Sequence, residues 1–87
     1  MTEQEVRDKI NSLEGFKNTT VNFNEGKKIC DIYTRCMLSE EDFLNKVKTI
    51  KEIKVVQCNF GIFELIIPIK NLNKTLDSFV KTFSTDK

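Results

Sequence analysis

Residues 53–69, IKVVQCNFGIFELIIPI, predict a β-hairpin. The stretches 53–59 and 62–69 are rich in β-branched residues, which favour strands. Phe60 and Gly61, which separate them, are expected to form a two-residue turn. Because side chains alternate between the two faces of a strand, a turn of this length also predicts which residues share a face.

The chain on either side of this hairpin shows the patterns of three helices and two more strands. Thr2 and Glu5 form a T-x-x-E capping box, and Ser39 is a suitable N-cap residue before an acidic first turn. Alternating apolar and polar residues between these two signals predict strands. The expected elements are a helix over residues 2–13, strands over 19–24 and 28–37, a helix over 39–51 and a helix over 71–84, with fraying of residues 84–87.

The order of these elements predicts an α+β fold with a four-stranded antiparallel sheet. The second strand, the middle helix and the third strand form a parallel crossover, which leaves space for the fourth strand between them. The first strand pairs with the second on its other side, so the predicted strand order is 1-2-4-3. This is a circularly permuted ferredoxin-like ββαββα arrangement with an extra N-terminal helix, and residues 1–87 are expected to form a single domain.

The middle and last helices are expected to cover one face of the sheet, and the face that they leave uncovered is called the open face below. The open face is too apolar for a solvated surface and too charged for an ordinary core. We predict that it is an interaction surface formed by Ile29, Asp31, Tyr33, Arg35, Val55, Gln57, Ile62, Glu64 and Ile66. The opposite face, which includes Val56, Cys58 and Phe63, is expected to form the core.

Two interpretations of the open face remain at this point. In the first, the N-terminal helix, residues 2–14, packs on it as an appendage through Val6, Ile10 and Leu13. In the second, the open face binds another chain. A helix of three turns covers only part of a four-stranded sheet, so much of the face would otherwise remain exposed.

The composition argues against several kinds of activity. The chain has 87 residues, of which 39% are hydrophobic and 31% are charged, with a net charge of +1 and no histidine. The missing histidine removes histidine-dependent catalysis and histidine metal ligands. The three glycines are isolated from one another, so the chain has no Gly-rich loop of the kind that holds phosphates. We therefore expect no enzyme activity, no cofactor and no metal site.

The three cysteines, at positions 30, 36 and 58, indicate a reducing environment. An odd number without a framework spacing does not fit a small secreted disulfide protein, and a zinc site would need a fourth ligand. The acidic N-terminus predicts no signal peptide, and no apolar run reaches the roughly 18 residues of a membrane span. We expect a cytoplasmic protein without membrane contact.

Residues 42–83 carry the pattern of a known class of small domains. The pattern consists of Phe43, Val47 and Ile50 in a helix, IKVV at 53–56, GIFELII at 61–67, and Leu72, Leu76 and Phe79 in a second helix. It resembles the ferredoxin-like domains of the ACT and RAM type, including the effector domain of leucine-responsive regulators. The resemblance implies assembly through the sheet or its edges. It departs from that family in lacking a final strand, and it carries over no ligand-binding residue.

These observations favour a small non-enzymatic protein-binding or regulatory module that acts through its open face or an edge strand, with another protein or a second copy as partner. The alternatives are an inhibitor encoded by a phage or mobile element that occludes a host protein, an ACT-like sensor of a small metabolite, and an RRM-like RNA binder. Residues 59–65 partly resemble the RNP1 motif of RRM domains. RNA binding is disfavoured, because Tyr33 is the one aromatic residue predicted on the open face and the expected basic residues are missing.

Overall fold

The computed structural model describes residues 1–84, which form three α-helices, a short 3-10 helix and four strands. Of residues 84–87, which are expected to fray, Ser84 is ordered as the C-cap of the last helix with its N–H donating to the Val80 carbonyl, and residues 85–87 lie outside the described residues. The elements in chain order are α1 (Glu3–Asn11), β1 (Phe16–Asn24), β2 (Ile29–Cys36), α2 (Glu40–Val47), β3 (Lys54–Asn59), β4 (Ile62–Pro68), the 3-10 helix (Ile69–Asn71) and α3 (Leu72–Phe83).

Side-chain caps define the starts of the first two helices. At α1 the Thr2 hydroxyl accepts a hydrogen bond from the Glu5 backbone N–H, and the Glu5 carboxylate accepts one from the Thr2 N–H, which completes the predicted capping box. At α2 the Ser39 hydroxyl accepts from the Asp42 N–H. Helix α3 has no such cap, because it continues from the 3-10 helix and the Asn71 side chain makes no capping bond.

The four strands form one antiparallel sheet with the order β1-β2-β4-β3, as the sequence predicts. The fold is therefore α+β. The description as a permuted ferredoxin-like arrangement remains an interpretation of this order.

The core lies between the inner face of the sheet and the helices. Phe43 of α2 stacks on Phe63 of β4, with ring centroids 3.9 Å apart and an interplanar angle of 26°. Phe16 of β1 meets Phe79 of α3 edge to face at 5.7 Å. Burial of these rings supplies much of the hydrophobic stabilisation that a chain of this size needs.

Helix α1 belongs to this same core, so the interpretation in which the N-terminal helix packs on the open face is wrong. Val6 and Ile10 are completely buried in one cluster with the inner-face side chains. The Glu3 carboxylate accepts a hydrogen bond of 2.8 Å from the Phe23 N–H, and Lys9 forms a 3.2 Å salt bridge with Asp77 of α3. These contacts hold α1 beside β1 and α3.

Both edge strands contain a β-bulge. In β1 the register shifts between Lys17 and Thr20, where Asn18 has a φ of 55°. In β3 it shifts between Val55 and Gln57, so that Val56 is the additional residue. Val55 then lies opposite Leu65 and packs on the core, whereas Val56 is 45% exposed. The prediction that placed Val55 on the open face and Val56 in the core is therefore wrong for both residues.

Candidate functional site: the open face of the sheet

The strand register arranges the open face in rows that run across the sheet. The first row holds Lys17, Arg35, Ile62 and Asn59, the second Thr20, Tyr33, Glu64 and Gln57, the third Asn22, Asp31, Ile66 and Lys54, and the last Asn24, Ile29 and Pro68. Eight of the nine residues predicted for the interaction surface thus lie together on this face. Val55 is the exception, and Lys54 occupies the place next to Ile66 that the prediction gave to Val55.

Sequence reasoning missed Lys54 because it assumed unbroken alternation along β3. The signal that a bulge interrupts this strand is the pair Val55-Val56, two successive apolar residues in an otherwise alternating stretch. The pair does not indicate which of the two valines faces the core.

Apolar and aromatic side chains lie on the two central strands of the open face, Ile62 and Ile66 on β4 and Tyr33 on β2. Ile62 is 38% exposed, and Ile66 and Tyr33 are half-buried although no helix among residues 1–84 covers them. Tyrosine is enriched among the residues that provide most of the binding free energy in protein interfaces, and the buried centre of an interface is more apolar than the rest of the surface.

An acidic pair, Asp31 and Glu64, lies at the centre of the open face. Glu64 is only 8% exposed. Asp31 is half-buried, and no donor among residues 1–84 bonds to its buried Oδ1 atom. Burial above all, followed by the hydrogen bond and the charge of Glu64, raises the pKa of Asp31 to about 6.

Two neighbours in the second row interact with Glu64. The Gln57 side-chain amide donates a 3.1 Å hydrogen bond from Nε2 to Glu64 Oε1. A hydrogen bond with Glu64 is also the main reason why the pKa of the Tyr33 hydroxyl is raised, with smaller contributions from burial and from the charges of Asp31 and Glu64. Glu64 therefore accepts hydrogen bonds from neighbours on the open face, whereas the Oδ1 atom of Asp31 has no hydrogen-bond donor among residues 1–84.

Three cations on the open face form no salt bridge with the acidic pair. Lys17 and Arg35 lie in the first row and Lys54 in the third, and all three are exposed. The salt bridge found within residues 1–84 is that of Lys9 with Asp77, on the helix side of the molecule. The open face thus presents separate acidic and basic positions with unused pairing capacity.

The thiols lie away from the open face, on the side of the helices. All three cysteines are free: Cys30 and Cys36 are buried, and Cys58 is half-buried. Burial, assisted by the charges of Asp31 and Glu3, raises the pKa of Cys30 to about 12, and burial also raises the pKa of Cys36 and Cys58. A thiol with a raised pKa is a poor nucleophile.

The described part of the chain holds no cluster of three or more acidic or cysteine side chains arranged to bind a metal ion. None of its helices is long and apolar enough to cross a membrane.

No family model, curated protein or solved structure matches the chain. The geometry of the open face is therefore what supports a function.

Proposed function

We propose that the protein is a non-enzymatic binding module whose open face is the surface that contacts another protein chain. The observation that carries this proposal is the placement of every helix of residues 1–84 on one side of the sheet, which leaves Tyr33, Ile62 and Ile66 uncovered on the other. A half-buried aromatic ring and aliphatic side chains around a few charged groups have the composition of an interface core.

The edges of the sheet are less suitable for binding a partner than its face. A strand can be added only to an edge with a regular row of free N–H and C=O groups, and a β-bulge breaks that row. Both edges have such a bulge, at Asn18 and at Val56. On the β1 edge the Phe23 N–H already donates to Glu3. These features favour the face over the edge strands as the binding surface.

We place this activity in a reducing compartment such as the cytoplasm. Three free thiols, two of them buried, support that placement, because a small domain in an oxidising compartment is usually stabilised by disulfide bonds.

The test is affinity capture from a lysate of the native host with the wild-type chain and with the double variant Tyr33→Ala/Ile66→Asp. We expect the double variant to lose proteins that the wild type retains, because it removes the aromatic anchor and places a charge in the apolar centre. A matched control is Asn45→Ala/Lys48→Asp, since both residues are exposed on the helix side of the molecule.

Thermal melts of the three proteins accompany the capture experiment and show whether each remains folded. Equal capture by the wild type and by a folded Tyr33→Ala/Ile66→Asp variant would overturn the open face as the binding surface. Loss of binding in the helix-side control alone would move the surface to α2.

A further inference from the structure

We infer that the partner of the open face is a second copy of this chain, packed face to face about a two-fold axis that runs along the second row, from Thr20 to Gln57. This inference rests on the proposed function, because it names the occupant of the surface proposed there. It follows from the order of residues across the rows and from their charges.

A two-fold axis along the second row keeps each strand over its own counterpart and exchanges the first row with the third. Ile62 of one copy then lies over Ile66 of the other, twice in each dimer. Both positions belong to β4, so the two β4 strands bring four isoleucines into one apolar patch. Stacked sheets cross at about 30°. Residues on the edge strands β1 and β3 are therefore displaced from their counterparts more than residues on the central strands β2 and β4.

The same exchange places opposite charges over each other. Arg35 and Asp31 both belong to β2, in the first and third rows respectively. Arg35 of each copy therefore lies over Asp31 of the other copy. This places a cation over the Asp31 carboxyl group, which forms no salt bridge within residues 1–84.

The residues along the axis are compatible with this packing. Tyr33 of one copy meets Tyr33 of the other at the centre, where an aromatic ring with a polar tip is well suited. The two Glu64 carboxylates flank the axis, but each is only 8% exposed and is held within its own face by Gln57. Each Glu64 side chain therefore stays within its own sheet and does not extend into the space between the two copies.

The available area is sufficient for a weak specific dimer. Four strands about 4.8 Å apart, each with about seven residues, provide a face of roughly 20 by 23 Å. Two such faces bury roughly 900 Å², which is the size of a weak, transient interface, and we expect a dissociation constant on the order of 10 to 100 micromolar.

The decisive experiment is a charge exchange between two single variants, followed by sedimentation at micromolar to millimolar concentration. In a dimer of Arg35→Glu, an acidic side chain at position 35 faces Asp31 of the other copy at both contacts. In a dimer of Asp31→Arg, a basic side chain at position 31 faces Arg35 of the other copy at both contacts. We expect each variant alone to associate at least about tenfold more weakly than the wild type, because like charges face each other at two places.

An equimolar mixture of the two variants is expected to regain the wild-type association to within about threefold, because both contacts become oppositely charged again in the mixed pair. Recovery in the mixture cannot arise from a general change in stability. A wild-type chain that remains monomeric at millimolar concentration, or a mixture that fails to recover although both variants are folded, would overturn the two-fold arrangement.

A second measurement does not depend on the folding of Asp31→Arg. Thr20 is exposed and lies in the second row, so Thr20→Cys adds one thiol to each copy opposite its counterpart. Stacked sheets lie about 10 Å apart, which is too far for a direct disulfide, so a bismaleimide cross-linker that spans roughly 10 Å is expected to give a covalent dimer, which Asn45→Cys on exposed α2 does not form under the same conditions. A Thr20→Cys chain that stays as monomeric as Asn45→Cys contradicts the inference.

These outcomes separate the inference from the proposed function. A monomeric wild type whose capture of other proteins is abolished by Tyr33→Ala/Ile66→Asp rejects the second copy but retains the open face as a binding surface. A double variant that still self-associates and still captures the same proteins rejects both the second copy as partner and the open face as binding surface.

Discussion

Asp31 and Glu64 place two carboxyl groups side by side at partly buried positions of the open face. Like charges at short range disfavour each other's ionised form, and the Oδ1 atom of Asp31 has lost its hydration without gaining a donor from residues 1–84. Unfolding separates the two groups and returns them to water. The pair therefore lowers the stability of the isolated chain wherever both groups are ionised.

The first prediction is that Asp31→Asn stabilises the isolated chain at neutral pH. The folded-state pKa of Asp31 is about 6, against 3.8 for an unperturbed aspartate, so the folded state binds this proton more tightly than the unfolded state does. The resulting stability is fully present below about pH 4 and is lost as the pH rises through 6. Because the site is only half-buried and solvent screens it, we expect Asp31→Asn to add about 1 kcal/mol at pH 7 and almost nothing at pH 4.

Urea melts between pH 4 and 8, at concentrations below those of self-association, measure this effect. The titratable groups facing Asp31 are Glu64 on β4 and Tyr33 on its own strand, with Lys54 one strand farther away on β3. Glu25→Gln in the exposed β1–β2 turn is the control, and its pH profile should follow that of the wild type. An Asp31→Asn chain with the pH dependence of the wild type would show that another group is responsible.

The second prediction concerns the thiols. Cys30 and Cys36 should resist labelling by an aromatic disulfide reagent in the native state, because both are buried and their pKa values are raised. Cys58 is half-buried and should react first, although more slowly than it does in urea. Mass spectrometry of timed samples gives the order, and rapid labelling of all three under native conditions contradicts the packing described for β2.

At the scale of elements, the β3–β4 turn contains a bulky residue in a strained conformation. Phe60 and Gly61 both have positive φ, 52° and 82°, as in the type I′ turns that connect strands by two residues. A positive φ is unfavourable for a bulky side chain, and Phe60 is 93% exposed, so no packing within residues 1–84 compensates for it. The turn therefore retains a residue that costs stability.

The third prediction is that Phe60→Asn stabilises the chain by about 0.5–1 kcal/mol, because asparagine tolerates this conformation better than phenylalanine and no buried contact is lost. Thermal or urea melts measure the change. Gly61→Ala should have the opposite effect, since its φ of 82° strains any residue with a Cβ, while that atom would meet Cys36 O at an ordinary 3.5 Å. Destabilisation by Phe60→Asn would indicate that the ring packs on its neighbours.

At the scale of the whole molecule, the helices divide the chain into a covered and an uncovered side. Ile10 of α1 is completely buried in the core, whereas Tyr33 and Ile66 lie on the side without helices. One apolar surface is thus buried within the fold, and the other is left uncovered by the helices of residues 1–84.

The fourth prediction contrasts these two sides. Ile10→Asp should destabilise the chain by about 3 kcal/mol or more, since it buries an unpaired charge and removes core packing. Tyr33→Ala/Ile66→Asp should leave the melting temperature of the dilute chain within a few degrees of the wild type. Circular dichroism melts of both variants provide the comparison, and unfolding of the open-face variant would mean that this surface belongs to the core.

Much of the architecture was determined by the sequence alone. Three features are sufficient to predict the α+β class and the strand order 1-2-4-3. They are the helix caps at Thr2 and Ser39, the β-branched residues of the hairpin at 53–69, and the rule for parallel crossover connections. They succeed because capping, turn formation and chain connection depend on neighbouring residues or on a few general constraints. Eight of the nine predicted open-face residues follow from the same alternation.

The tertiary structure alone decided three further features. An apolar stripe through Val6 and Ile10 shows that α1 must pack, but the available space and the bonds to β1 and α3 determine on which side. The bulge at Val56 depends on cross-strand pairing with β4, which the local pattern Val55-Val56 leaves ambiguous. The sequence places Asp31 and Glu64 on the same face of neighbouring strands, but the register of β2 on β4 determines how closely their carboxyl groups approach, because the two residues lie 33 positions apart.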